Sequence, residues 1–284
     1  MKKIVLLGCG KNSLSLIKFL KSKNLFTIGI DKNKKAPGLK KVDYFLNIPC
    51  SNWKKIGQKL KKEKNIFFIA CANGDPIISA AILNKKNKNL HLNINSAKIL
   101  KKKTNYIKHY NFEINLDEKK LSVENLPFIV KKDNQSGGTG ISIVKTKKDF
   151  KKFLNNKKTL NKKGLYIEKF LNATNYVITG VVFKNKLHIP ALFKVELNKK
   201  FQIKNFVYEN IYLEKYIEII KYISKITKNL KINFGPVNFQ IFKFKNKIYL
   251  AEIEGIFMGS GIIEKANKIN NNNYELMLKF ILNE

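Results

Sequence analysis

Gly235-Pro236-Val237-Asn238-Phe239-Gln240-Ile241-Phe242, a short polar turn, then Ile248-Tyr249-Leu250-Ala251-Glu252-Ile253-Glu254-Gly255: these two segments decide the fold. Both are rich in branched and aromatic residues and flank a turn, which is the pattern of a β-hairpin. Side chains alternate along a strand, so Glu252 and Glu254 share one face. With a loop over Lys245–Lys247, Gln240 stands directly opposite Glu252. Two carboxylates and an amide oxygen then converge. Like charges this close repel unless a cation lies between them, and hard oxygen donors suit Mg²⁺. The plainer alternative is a solvated face whose carboxylates pair with surface lysines. Acidic residues are scarce, 20 against 56 basic, and these two are flanked by Leu250, Ile253 and Ile256. That context favours the metal.

Upstream, Ile167-Glu168-Lys169-Phe170-Leu171 reads as a strand running into a loop. Before it, Pro127–Lys132 is a strand carrying Lys131, and Asp133–Gly140 is a glycine-rich loop. Ile141–Lys145 leaves that loop as another strand. Ser136-Gly137-Gly138-Thr139-Gly140 places three glycines and two hydroxyls in five positions, so its backbone N–H groups can wrap an anion. It is not a Walker loop, because no Gly-Lys-Ser/Thr leads into a helix. Taken singly, these segments also read as an amphipathic strand end and a hairpin loop. The remaining pattern predicts helices over 97–112, from Asp149, over Ile211–Leu230 and from about Glu264 to Leu282. A second hairpin joins Asn175–Phe183 to Lys186–Phe193. This half is α+β with mostly antiparallel pairs.

The first 97 residues differ. An apolar run over residues 3–8 meets Gly8-Cys9-Gly10-Lys11-Asn12-Ser13, then a helical pattern, then a second strand ending at Asp31. This is a βαβ unit, and further strands are expected at Phe45–Ile48, Ile66–Ala72 and Leu90–Ile94. Gly8-x-Gly10-x-x-Ser13 with Asp31 is a partial dinucleotide fingerprint lacking its third glycine. The plainer reading, favoured here, is tight strand-to-helix packing.

Composition sets the bounds. The chain has 284 residues, 44% apolar and 27% charged, enough for two globular domains. No apolar run approaches the length of a membrane helix. The net charge of +36 invites a nucleic-acid reading, yet all 56 basic residues are Lys and none is Arg. Readers of nucleic acid favour Arg for bidentate contacts, and these lysines are spread along the chain. No specific nucleic-acid partner and no membrane are expected. Cys9, Cys50 and Cys71 are odd in number and widely spaced, which points to a reducing cytoplasm rather than to disulfides or zinc.

Taken in order, these pieces resemble the ATP-grasp superfamily, in the style of its carbamoyl-phosphate synthetase-like and carboxylate–amine ligase members. The resemblance implies an α/β, Rossmann-like pre-ATP-grasp domain over 1–97 and an α+β, two-lobed ATP-grasp domain over 98–284. The small lobe would span about 98–168 and the large lobe about 169–284. It implies that Lys131, as the catalytic lysine, and Lys103 contact nucleotide phosphates. Ser136, Gly137, Gly138, Thr139 and Gly140 would close over them. Glu168 would accept from the adenine amino group, beside the backbone of Lys169 and Leu171. Gln240, Glu252 and Glu254 would hold Mg²⁺, or Mn²⁺ in its place. Glu254 stands where the family usually has Asn, and Gly255 and Ile256 replace its Pro and Arg. Asn175 stands where an acid often lies near the ribose. Met258–Gly261 would line an acceptor pocket. The activity implied is an ATP-dependent ligase joining a small-molecule carboxylate to an amine or thiol through an acyl phosphate, with a homodimer compatible. The rivals are a non-catalytic nucleotide-binding protein on a degenerate scaffold, and an NAD(P)-dependent oxidoreductase using Gly8, Gly10 and Asp31.

Overall fold

The structure, a computed structural model, describes residues 2–132, 140–155, 165–259, 261–269 and 273–282. The first sheet is parallel: β1 (Lys3–Leu7), β2 (Thr27–Ile30), β3 (Tyr44–Leu46) and β4 (Ile66–Ala70), in the order β3-β2-β1-β4. A central parallel strand is covered on both sides, which is why its sequence is continuously apolar. Ile4 and Leu6 enter one core, and Val5 and Leu7 enter another. Helices α1 (Leu14–Ser22), α2 (Trp53–Lys59) and α3 (Asp75–Lys86) accompany these strands.

The expected strand at Leu90–Ile94 is absent. The chain instead turns into α4 (Ile94–Leu100), because the Asn93 side chain accepts from the N–H groups of Asn95 and Ser96. A cap of this kind overrides the alternating apolar pattern that suggested a strand. The helix expected over 97–112 is likewise broken, by a 3₁₀ turn at Lys103–Asn105 before the short α5 (Ile107–Tyr110).

A second, antiparallel sheet holds β5 (Asn115–Leu116), β6 (Phe128–Lys132), β7 (Ile141–Val144) and β8 (Leu165–Lys169), in the order β5-β8-β6-β7. With α6 (Lys147–Asn155) it closes a small core of its own around Phe128, Val130 and Phe153. The third sheet is the largest. It contains β9 (Thr174–Phe183), β10 (Lys186–Leu197), β11 (Ile203–Glu209), β12 (Phe234–Phe244) and β13 (Lys247–Glu254), in the order β11-β10-β9-β12-β13. β5 and β11 are strands that the sequence pattern did not suggest.

One face of the large sheet packs on α7 (Ile217–Asn229), together with Leu100, Tyr106 and Ile107. The other packs on α8 (Ile262–Ile269) and α9 (Asn273–Leu282), in a core that also contains Ile4, Leu6, Phe67 and Ile69 of the first sheet. The helix expected from Ile211 begins only at Ile217, and the one expected from Glu264 is two helices. No described helix is long and apolar enough to cross a membrane.

Candidate active site

The β12–β13 hairpin turns over two residues, Lys245 and Asn246, with Phe244 paired to Lys247. Lys245 has φ +53°, the left-handed backbone that two-residue hairpin turns require. A regular ladder from this turn would put Ala251, not Glu252, opposite Gln240. A register shift corrects it. Ile241 pairs with Leu250 and Gln240 pairs with Glu252, leaving Ala251 as the extra residue of a bulge. Without the bulge, both glutamates would turn to the opposite face. The pairing expected from a longer loop is therefore reached by a shorter loop plus a bulge.

β13 is an edge strand, and two side chains take the place of its missing neighbour. The Tyr106 hydroxyl accepts from the Ile253 N–H at 3.1 Å and donates to the Ile253 carbonyl at 3.2 Å. Asn111 Oδ1 accepts from the Leu250 N–H at 3.0 Å, and its Nδ2 donates to the Leu250 carbonyl at 2.7 Å. The two clamps stand on either side of the bulge. Sequence reasoning missed both residues. A Tyr and an Asn within a Lys-rich, helix-like stretch carry no local sign that a distant strand will use them.

Glu252 and Glu254 are 8% and 9% exposed. Lys103 Nζ lies 2.9 Å from Glu252 Oε2, while neighbouring Lys101 pairs instead with Asp75, an exposed contact. The structure thus separates Lys103 from the lysines around it. Asn73, in the loop after β4, donates to Glu254 Oε1. Burial raises the pKa of both carboxyls, and for Glu254 the Glu252 charge adds to it, pushing it up to about 8. Among the described residues no group of three or more His, Cys, Asp or Glu forms a metal cluster. The donor set here is two carboxylates and the Gln240 amide. Two buried carboxylates held side by side, with a hard oxygen opposite, fit a small divalent cation.

Across a cleft of about 990 Å³, the second sheet supplies Lys131, Glu168 and Lys169, the segment after it supplies Phe170 and Leu171, and the third sheet supplies Asn175, Gln240 and Ala251. Glu168 is 1% exposed, and both of its oxygens are engaged. Oε1 accepts from Asn111 Nδ2 at 2.6 Å, and Oε2 pairs with Lys131. Asn111 therefore ties β8 directly to β13. The Lys131 ammonium also lies 5.5 Å from the Tyr166 ring centre and 5.8 Å from that of Phe242. Gly140 has φ +73°. Ser136, Gly137, Gly138 and Thr139 lie outside the described residues, as does Ser260.

The glycine turn after β1 serves packing. Gly8 has φ +96°, and a Cβ there would approach Ala72 Cβ to 3.0 Å. Asp31 is committed locally: Oδ2 accepts from the Cys9 N–H and Oδ1 from the Asn33 N–H, both at 2.8 Å. Gly38 donates its N–H to the Cys9 carbonyl at 2.8 Å. Burial raises the pKa of Cys9 and Cys50 to about 12 and that of Cys71 well above the usual thiol value, which suits no thiolate chemistry.

No known protein-family model matches the sequence, and no curated protein sequence matches it. Solved structures do resemble it. N5-carboxyaminoimidazole synthetase from Staphylococcus aureus, solved with ADP, superposes with a TM-score of 0.77 at 16% identity, over 99% of this chain and 78% of that one. L-amino acid ligase from Bacillus licheniformis gives 0.74 at 17% identity, over 99% and 74%. Phosphoribosylglycinamide synthetase from Anaerococcus prevotii gives 0.71 at 22% identity, over 100% and 75%. The chain has the ATP-grasp fold.

Proposed function

We propose that this chain, which has the ATP-grasp fold, is an ATP-dependent ligase that joins a small-molecule carboxylate to an amine or thiol. The observation that carries the reading is the meeting of Gln240, Glu252 and Glu254 with Lys103, where Gln240 also lines the cleft that holds Lys131 and Glu168 and the Lys131 charge reaches Glu252. The domain division falls at about residue 97, with lobes meeting near residue 168. Glu168 accepts from the adenine amino group, beside the backbone of Lys169 and Leu171. Lys131 and Lys103 offset phosphate charge, and Ser136–Gly140 closes over it. Gln240, Glu252 and Glu254 hold Mg²⁺, or Mn²⁺, which when bound neutralises the phosphates and withdraws charge from the transferred one. The substrate carboxylate attacks the γ-phosphate, giving an acyl phosphate and ADP. The amine or thiol then displaces phosphate. The chain need supply no nucleophile; it aligns the reactants and excludes the water that would hydrolyse the acyl phosphate.

Thermal unfolding tests the site first. A ligand at 100 times its dissociation constant stabilises by about 2.7 kcal/mol, worth several degrees in a chain of this size. The expected result is a Mg²⁺-dependent shift with ATP or ADP, lost in Lys131→Ala and not reproduced by pyrophosphate. A shift with NAD(P)H alone would return attention to Gly8 and Asp31. In a substrate screen, Glu252→Gln should abolish ADP release while the chain stays folded. Retained turnover in that variant would remove Glu252 from the mechanism.

A further inference from the structure

Two buried cation–carboxylate pairs lie in this region, and each joins a lysine assigned to phosphate with a carboxylate assigned elsewhere. Lys131 holds Glu168, and Lys103 holds Glu252. The second pair has a consequence for binding. Side-chain exposure is 17% for Lys103 and 11% for Glu252, so this is a largely desolvated contact rather than a screened surface one. The Lys103 ammonium stands against the carboxylate oxygen that a divalent cation would also engage. Two cations on one carboxylate repel each other strongly in so dry a setting, so they compete for it.

We propose that Lys103 is a displaceable internal cation, which holds the metal position in the free protein and moves to the nucleotide phosphates when metal and nucleotide enter together. This rests on the assignment of Glu252 and Glu254 as metal ligands. Charge alone makes the exchange coherent. With Lys103 in place, Glu252 is neutralised without a metal. When the metal takes over, the displaced ammonium is drawn to the polyphosphate that arrives with it. Metal without nucleotide must evict a lysine that has no phosphate to receive it. Nucleotide without metal must draw Lys103 from a buried carboxylate and leave that charge uncompensated. The coupling is reciprocal by linkage: each ligand improves the affinity for the other beyond their direct contact.

The signature is an effect of opposite sign on two measurements in one variant. Lys103→Met keeps the stem and removes the charge. Free Mn²⁺ would be counted by electron paramagnetic resonance during titration of the nucleotide-free protein, and ATP binding followed separately by calorimetry in saturating Mg²⁺. In Lys103→Met, Mn²⁺ should bind the nucleotide-free protein at least about fivefold more tightly, while ATP in saturating Mg²⁺ binds at least about tenfold more weakly. Lys101→Met, on the same segment but paired at the surface, should move neither. Unchanged or weaker Mn²⁺ binding in Lys103→Met, with wild type still binding MgATP, would overturn the proposal and leave the ligase reading standing. Failure of the wild type to bind Mn²⁺ in the presence of ATP would overturn both. Loss of both affinities in Lys103→Met would mark Lys103 as structural, and would equally overturn the exchange.

Discussion

At the scale of single residues, the site is a set of charges held out of water. Glu254 has the clearest titration consequence. Its carboxyl is pushed up to about 8 in the folded chain from an ordinary 4.5, by burial first and the Glu252 charge second. The sign follows from proton counting. Between those two values the folded chain retains a proton that the unfolded chain has released, so stability falls as pH rises. The slope is at most about 1.4 kcal/mol per pH unit for one proton. In chelator, urea midpoints should decline from pH 5 to 8, and Glu254→Gln should flatten that decline. An identical slope in the variant would remove Glu254 as its source. Some of this was legible. Period-two alternation alone placed both glutamates on one face, and Lys103 was the candidate among its neighbours. Asn73, Tyr106 and Asn111 were not legible, because the β13 residues they hold lie more than 130 residues away and no local pattern encodes such a contact.

At the scale of elements, the metal strand owes its geometry to a bulge pinned on both sides by side chains from the segment around α5. Asn111 makes three buried polar contacts, two to Leu250 and one to Glu168. Asn111→Ala leaves the Leu250 backbone without a partner and takes one donor from Glu168. Unsatisfied buried groups cost about 1–3 kcal/mol each, so a loss of roughly 2–4 kcal/mol is expected by urea unfolding. MgATP binding should weaken with it, because the nucleotide strand and the metal strand lose their shared anchor. A stable variant that binds MgATP as wild type does would show that the ladder alone holds β13. The hairpin itself was readable from residue type and turn position, although its loop is one residue shorter than the pattern implied. The misplaced strand at Leu90–Ile94 shows the opposite case: an alternating run of Leu and Ile was outweighed by one Asn in capping geometry.

At the scale of the molecule, the three sheets are unequally bound. The first and third share one apolar core, closed by α8 and α9 and fastened to α1 by Ser15 with Tyr274 and Lys23 with Glu275. The second sheet keeps a small core of its own and reaches the core beside α7 through Tyr166. Fewer buried contacts mean lower local stability. Hydrogen exchange should therefore be faster for amides of β6 and β7 than for those of β1, β4 and β12, and MgATP should slow β6 and β7 most. Uniform protection across the sheets would contradict this hierarchy. The alternation of α/β and α+β halves was visible in the sequence. The shared core was not, because it joins residues 4–69 to residues 257–281, and a reading made segment by segment separates them. That junction also bears on how the chain is made. Ile4, Leu6, Phe67 and Ile69 are synthesised early, yet the helices that cover them follow almost two hundred residues later. At about 5–20 residues per second, the part of this face that α1 leaves open waits on the ribosome for roughly 10–40 seconds, an interval in which a chaperone, or a neighbouring nascent chain, can reach it before α8 and α9 do.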